Sequence, residues 1–310
     1  MGQIVLQLSN ETLLKMKETY HKFLIATPPG ALFSARTANT TITAYKSGKV
    51  LFQGKTPEVE ANKWGSALPN QKHAHKKKET KHRYLPDQDL FTASIIGSDE
   101  AGTGDYFGPI TVSAAYVKSD QIELLKELGV RDSKSLSDQS ILDIAQQIFL
   151  LEIPYSLMIL PNPKYNQLQK EGWSQGKMKT MLHDAAINSL LSKISPIKPD
   201  GILIDQFSEP HVYLNHLKSE NKILPDSTYF ITKAESQSTA VATASIIARA
   251  SFVGEISRLS KQVGFTLPKG ASAKVDQAAS YIIQKKGVAY LHNVAKVHFA
   301  NTKKALSHLK

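Results

Sequence analysis

The sequence of 310 residues predicts an α/β protein in two parts, a mixed-sheet α/β domain preceded by a small α+β domain. Three observations carry that expectation. The chain exceeds a single small module, and its 41% hydrophobic residues suffice to bury a core. Beyond residue 88, strand-like and helix-like hydrophobic patterns alternate. Ahead of that point lies a polar, basic, aperiodic tract at 67–88, with 1–66 forming a patterned unit before it.

In the first part, residues 3–9 alternate as a strand, and 11–23 read as a helix with Asn10 as its N-cap. Residues 31–37, 41–45 and 50–53 read as strands, the last two joined by a hairpin at Lys46-Ser47-Gly48-Lys49. Residues 57–64 read as a closing short helix. Such a unit buries its helices on one sheet face and leaves the other free. Strand alternation sets Thr41, Thr43 and Tyr45 opposite Ile42 and Ala44, and Lys49 at the turn reaches the Thr43 side. Phe52 joins that face only if the register allows it.

In the second part, strands are expected at 92–96, 110–117, 153–159, 202–204 and 228–231. Helices are expected at 121–128, 139–150, 177–194, 238–259, 274–285 and 288–306. This order suits a mixed sheet with helices packed on it.

Charge narrows the function. Lys and Arg number 38 against 27 Asp and Glu, a net +11. Residues 1–88 hold 14 basic and 6 acidic residues, so under a third of the chain carries net +8. The densest stretch is KHAHKKKETKHR at 72–83. A polyanionic partner, nucleic acid first, is the expectation. There are no cysteines, which excludes disulfides, thiol catalysis and cysteine-held zinc. The N-terminal residues lack a basic start followed by an apolar run, so no secretory signal is expected. The apolar stretch at 148–160 is broken by Glu152 and Pro154 and is too short for a membrane span. A cytoplasmic monomer without membrane association is expected.

The chemistry gathers where acids end apolar strands. Ile95-Ile96-Gly97-Ser98-Asp99-Glu100-Ala101-Gly102-Thr103-Gly104 runs from an apolar strand into two adjacent carboxylates and a glycine-rich loop. Adjacent residues in a regular strand face opposite ways, so both serve one site only if the backbone kinks or one acts from the edge. The glycines permit a kink and a close approach to a substrate. Asp205 ends the apolar run at 201–205, and strand ends of this kind collect ligands in open α/β sheets. Glu235 follows a further short strand, ahead of the small-residue helix STAVATASIIARASF that carries Arg249. Read singly, each acid is equally a surface, cap or loop residue. Together, four carboxylates on a basic protein repel each other and repel phosphate. Oxygen-liganded Mg²⁺ resolves that conflict, and two such ions about 3.5–4 Å apart serve phosphodiester hydrolysis. With no cysteine and no HExxH spacing, a hard metal is favoured over zinc. The nearest phosphate-loop candidate, Gly172-Trp173-Ser174-Gln175-Gly176-Lys177-Met178, has three residues between its glycines and Met where Ser or Thr is needed, which excludes a helicase of that type.

Four blocks carry a family resemblance: GSDEAGTGDYFGPI at 97–110, RDSKSLS at 131–137, ILIDQF at 202–207 and AESQSTAVATASIIARAS at 234–251. They resemble the type 2 ribonucleases H, the bacterial ribonuclease HIII branch most closely, over residues 89–310. ITAYKSGKVLFQG at 42–54 is similar to the extra domain of that branch. The resemblance implies a ribonuclease H-like mixed-sheet catalytic domain at 89–310 preceded by a TATA-binding-protein-like, hybrid-gripping domain at 1–66. It implies Mg²⁺ or Mn²⁺ held by Asp99, Glu100, Asp205 and Glu235. It implies endonucleolytic cleavage of the RNA strand of RNA–DNA hybrids, leaving 5′-phosphate and 3′-hydroxyl ends.

It further implies substrate contacts from Gly102, Thr103 and Gly104, from Ser133 and Lys134 beside Asp132, and from Thr43, Tyr45 and Lys49. Lys177 and Lys179 meet phosphates or simply form a solvated helix face. Thr103 departs from the sister enzyme ribonuclease HII, which typically carries Arg there. That puts Arg-dependent reading of single embedded ribonucleotides in doubt, and leaves ribonuclease HII-like removal of such ribonucleotides as an alternative. A non-catalytic nucleic-acid-binding protein would explain the charge but not four acids at strand ends.

Overall fold

The computed structural model describes residues 2–28, 31–65, 82–131, 133 and 136–309. Most of the expected linker, and both Asp132 and Lys134, lie outside the described residues. The chain divides into two compact units, residues 1–80 and 81–310.

The first unit contains β1 (Gly2–Gln7), α1 (Asn10–Thr19), β2 (Leu24–Ile25), β3 (Ala31–Arg36), β4 (Thr40–Tyr45), β5 (Lys49–Gly54) and α2 (Pro57–Ala61). The strands form an antiparallel sheet in the order β1-β5-β4-β3-β2. Ser9, not Asn10, caps α1, its hydroxyl accepting from the Thr12 amide at 3.2 Å. The expected helix stops at Thr19, and a single 3₁₀ turn, His21–Phe23, leads into β2, a strand too short to show periodicity. Gly48 takes the left-handed conformation that closes the β4–β5 hairpin.

The core is built from Leu13 and Met16 of α1, Ala61 of α2, and Phe33, Ala35, Ile42, Ala44, Val50 and Phe52 of the sheet. Ile42 pairs with Phe52, which settles the register and puts Phe52 in this core. Thr43 pairs with Leu51 and Thr41 with Gln53, on the opposite face, and the same alternation places Lys49 there. Thr43 is itself buried among its neighbours, with its hydroxyl 3.3 Å from that of Ser34.

The second unit holds β6 (Ile95–Ala101), β7 (Ile110–Val117), α3 (Ile122–Glu127), α4 (Asp138–Leu150), β8 (Tyr155–Leu160), α5 (Asn162–Lys170), α6 (Gln175–Ile194), β9 (Gly201–Asp205), α7 (Pro210–Ser219), β10 (Thr228–Ile231), α8 (Thr239–Val263), α9 (Ala273–Lys286), α10 (Leu291–Val294) and α11 (Ala300–Ser307). The sheet order is β10-β9-β6-β7-β8. β10, β9 and β6 run parallel, and β7 and β8 are antiparallel, so the sheet is mixed.

Two apolar layers cover this sheet. One packs α3, α4 and α8 on one face, the other packs α6 and α7 on the opposite face. α8 is, among the described residues, the helix long and apolar enough to cross a membrane, and it is mostly buried in this layer. It lies close because Gly97 of β6 has no side chain: a Cβ there would stand 2.2 Å from backbone atoms of Ala240 and Val241. The glycine expected to allow a kink at the acids instead allows a helix to lie against the strand.

Two expectations are corrected. The first strand begins at Ile95, because Gln88–Thr92 forms a 3₁₀ turn, and it continues unbroken through Asp99 and Glu100 to Ala101. The helix expected over 288–306 is broken between α10 and α11. There Ala295 bridges to Phe107, and the Lys296 ammonium, fully buried, donates to the carbonyls of Asp105 at 2.8 Å and Gly108 at 2.6 Å. Burial pushes this ammonium down to about 7, with Asp105 opposing the shift.

Candidate active site

The three parallel strands deliver the predicted acids at their C-terminal ends. Asp99 and Glu100 lie near the end of β6, Asp205 is the last residue of β9, and Glu235 sits in the 3₁₀ turn Ala234–Ser236 after β10. The β6–β9 ladder ends at Ser98 opposite Ile204, so the next residues on the two strands are Asp99 and Asp205. The turn beyond β10 starts at Lys233, which takes a left-handed conformation unusual for a residue with a side chain. This turn aims the Ala234 amide at Asp205, whose Oδ1 accepts it at 2.8 Å. Glu235, the next residue, is buried.

Asp99 and Glu100 face opposite sides of a regular strand, and each side treats its acid differently. Asp99 pairs across with Ser113 of β7 and is only 5% exposed. Burial and the nearby charges of Glu100 and Asp205 push its carboxyl well above the usual carboxylate range, opposed by the Ser245 hydroxyl and the Glu100 amide. That amide donates to Asp99 Oδ1 at 2.7 Å. Ser245 belongs to α8, so the helix that Gly97 admits carries a hydroxyl to the acid. Ser133, buried, stands 2.9 Å from Ser245, hydroxyl to hydroxyl, and its carbonyl is held by the Arg249 guanidinium. Arg249 also reaches the Leu136 carbonyl at 3.3 Å and Asp138 at 3.5 Å.

Glu100 turns to α6. Lys179 Nζ lies 2.7 Å from Oε1 and His183 Nε2 lies 3.0 Å from Oε2. Burial alone would raise this carboxyl, but the His183 and Lys179 contacts overcome it and hold it below its usual value. His183 is anchored on its other nitrogen, 2.7 Å from Ser98 Oγ, which donates to the Ser113 carbonyl at 2.9 Å. Sequence reasoning missed His183 and Ser245 and left Lys179 undecided. The spacing of four residues between Gln175, Lys179 and His183 was the available signal.

Gly102 adopts a left-handed conformation directly after β6. A Cβ on Gly102 would meet the Pro109 carbonyl at 2.4 Å, whereas one on Gly104 would meet open space. The carboxylates are hard oxygen donors and suit Mg²⁺ or Mn²⁺ better than zinc. Among the described residues no shell of three or more His, Cys, Asp or Glu donors is already assembled. Glu100 is held by Lys179 and His183, and Asp205 accepts the Ala234 amide.

A five-stranded mixed sheet whose parallel strands end in acids, with a small-residue helix laid on it, defines a nuclease domain of the ribonuclease H type. The model of one family, ribonuclease HII, matches residues 96–302, and that of a domain of unknown function (DUF3378) matches residues 3–77. The ribonuclease HIII of Oceanobacillus iheyensis is 56% identical over 305 residues, covering 98% of this chain and 99% of its own. That of Bacillus subtilis is 52% identical over 306 residues, covering 98% and 97%. Among solved structures, Bst-RNase HIII in complex with Mn²⁺ is 42% identical, with a TM-score of 0.69 over 100% of this chain and 99% of that one. The chain belongs to the ribonuclease HIII family and is an endoribonuclease.

Proposed function

We propose that Asp99, Glu100, Asp205 and Glu235 hold the divalent ions, Mg²⁺ or Mn²⁺, with which this enzyme hydrolyses the RNA strand of RNA–DNA hybrids. The observation that carries this is the delivery of one or two acids by each of three parallel strands to one sheet edge, with Asp99 buried beside Glu100 and Asp205. A pair of bound ions supplies water activation and neutralises the charge that develops on the scissile phosphate, leaving 5′-phosphate and 3′-hydroxyl ends. The chain's own part is orientation. The Ala234 amide fixes Asp205, Lys179 and His183 fix Glu100, and Ser245 and the Glu100 amide fix Asp99.

Gly102 to Gly104 meet the ribose 2′-hydroxyls, the group that separates RNA from DNA. Ser133, held by Arg249 and Ser245, and Lys134 beside it meet the substrate backbone. Residues 1–66 grip the hybrid through the sheet face that carries Thr43, Tyr45 and Lys49, 67–88 act as a basic linker, and 89–310 form the catalytic domain. The same reading takes the enzyme as a cytoplasmic monomer. Digestion of a labelled RNA–DNA hybrid with Mg²⁺, with Mn²⁺ and with chelator tests the assignment. Asp99→Asn and Asp205→Asn should each lower turnover by at least about a hundredfold, the scale of a lost electrostatic element. Near-normal turnover in either variant removes that residue from the site.

A further inference from the structure

Gln175, Lys179 and His183 stand four residues apart on α6, so they share one face of the helix. All three reach β6 or its exit: His183 meets Ser98 and Glu100, Lys179 meets Glu100, and Gln175 Nε2 donates to the Thr103 carbonyl at 3.1 Å. Gln175 is itself fixed, since the same amide group lies 3.1 Å from the Tyr165 hydroxyl. One polar stripe thus braces both an acid and the glycine loop that follows it.

The loop contact has a directional consequence. In a trans peptide the carbonyl of one residue and the N–H of the next point opposite ways. With the Thr103 carbonyl turned toward Gln175, the Gly104 N–H is turned away from α6. The Gly102 carbonyl accepts from the Asp105 amide at 3.4 Å, which likewise turns the Thr103 N–H out of the loop. The rest of the loop is held from behind by Lys296 on the Asp105 and Gly108 carbonyls and by the Asp105 carboxylate on the Gly270 amide. Gly104 is exposed and faces open space. The carbonyls of Gly102, Thr103 and Asp105 are engaged, and the N–H groups of Thr103 and Gly104 point away from the first two of those contacts, a few residues after the acids.

We propose that Gln175 is a specificity-positioning residue: by holding the Thr103 carbonyl, it aims the Thr103 and Gly104 N–H groups at ribose 2′-hydroxyls. This rests on the hybrid-cleaving reading above. Thr103 supplies no charge to the loop, so ribose recognition depends on backbone aim, and the side chain setting that aim lies on another helix.

The test is full-length Gln175→Leu, Gln175→Glu and Gln175→Lys. Leu removes the donor, Glu places an acceptor against the carbonyl, and Lys returns a donor of similar reach. Affinity for an RNA–DNA hybrid and for a DNA duplex of the same sequence is measured by fluorescence anisotropy in chelator, at one salt concentration. kcat and KM on the hybrid are measured with Mg²⁺. Leu and Glu should lower the preference for hybrid over duplex by about fivefold or more, the scale of one hydrogen bond, with duplex affinity unchanged. Lys should keep the preference. An unchanged preference in Leu and Glu, an equal loss for both duplexes, or failure of Lys to rescue would each overturn the assignment. A wild-type enzyme that neither prefers nor cleaves the hybrid would instead overturn the reading beneath it.

Discussion

Gly97→Ala tests whether the close approach of α8 to β6 builds the site. The added Cβ would stand 2.2 Å from Ala240 C and Val241 N and 2.4 Å from the Ala240 carbonyl oxygen. These are backbone atoms of a 25-residue helix packed on the sheet, so no side chain can swing aside. The helix must shift, and overpacking of this kind costs about 3 kcal/mol, the upper end of the usual range. For a unit of this size that corresponds to a melting temperature lower by roughly 6–12 °C. Asp99 is two residues further along β6 and takes its hydroxyl partner from Ser245 on the displaced helix, so turnover should fall as well. A misplacement near 1 Å costs about a hundredfold.

The two units carry one tryptophan each, Trp64 and Trp173, so unfolding of the catalytic unit can be followed by Trp173 fluorescence in a Trp64→Phe background. Gly104→Ala is the control, since its Cβ meets nothing within 4 Å, and it should stay within about 0.5 kcal/mol of wild type. A Gly97→Ala protein that melts with wild type and turns over normally would refute the close-approach reasoning.

Other outcomes follow from the same geometry. Asp99 has a raised carboxyl in the fold, so its stabilising contribution is present below about pH 4 and lost as pH rises through the folded value. Metal-free Asp99→Asn should therefore melt above wild type at pH 7, with the gap closing toward pH 4 and shrinking in Mn²⁺; calorimetry with chelator and with Mn²⁺ checks this. Removing residues 1–88, which carry net +8, should raise KM far more than it lowers kcat and should flatten the salt dependence of binding, whereas an equal salt slope would show that this segment is not the grip. A duplex with one embedded ribonucleotide should be cut poorly with Mg²⁺ compared with a hybrid, because Thr103 offers one hydroxyl where an Arg would offer a fixed charge and up to five donors; comparable efficiency on both substrates would refute it.

Apart from the first, the strands of the catalytic unit were legible because buried apolar runs end in polar residues, and the place of Asp205 at a strand end was legible for the same reason. What one sequence could not show were features set by distant contacts. The break in the C-terminal helix follows from Lys296 turning inward to carbonyls nearly 190 residues earlier in the chain. α5 is mostly polar and the apolar residues of α7 are interrupted by His, Asn and Lys, so hydrophobic periodicity passed over both, although each has a proline in its first turn. The role of Gly97 needed the position of α8, and the tie from Glu100 to His183 spans 83 residues.

The unkinked strand raises the question of how adjacent acids on opposite faces serve one site. The two faces are not equivalent electrostatically. On the α6 side, Glu100 already has an ammonium and an imidazole within 3.0 Å, and its carboxyl is held low. On the α8 side, Asp99 has a hydroxyl and an amide but two neighbouring carboxylates, and its carboxyl is held high. Asp99 therefore carries the less compensated charge of the two. The end of the β6–β9 ladder at Ser98 leaves Asp99 and Asp205 adjacent beyond the last paired residues. Were an ion held at that edge, Asp99 and Asp205 would be the carboxylates flanking it, and Glu100, oriented by α6, would exchange its Lys179 contact for the ion. Lys179 thus holds Glu100 in the metal-free fold, and its ammonium would be released only by a ligand that takes its place on that carboxylate.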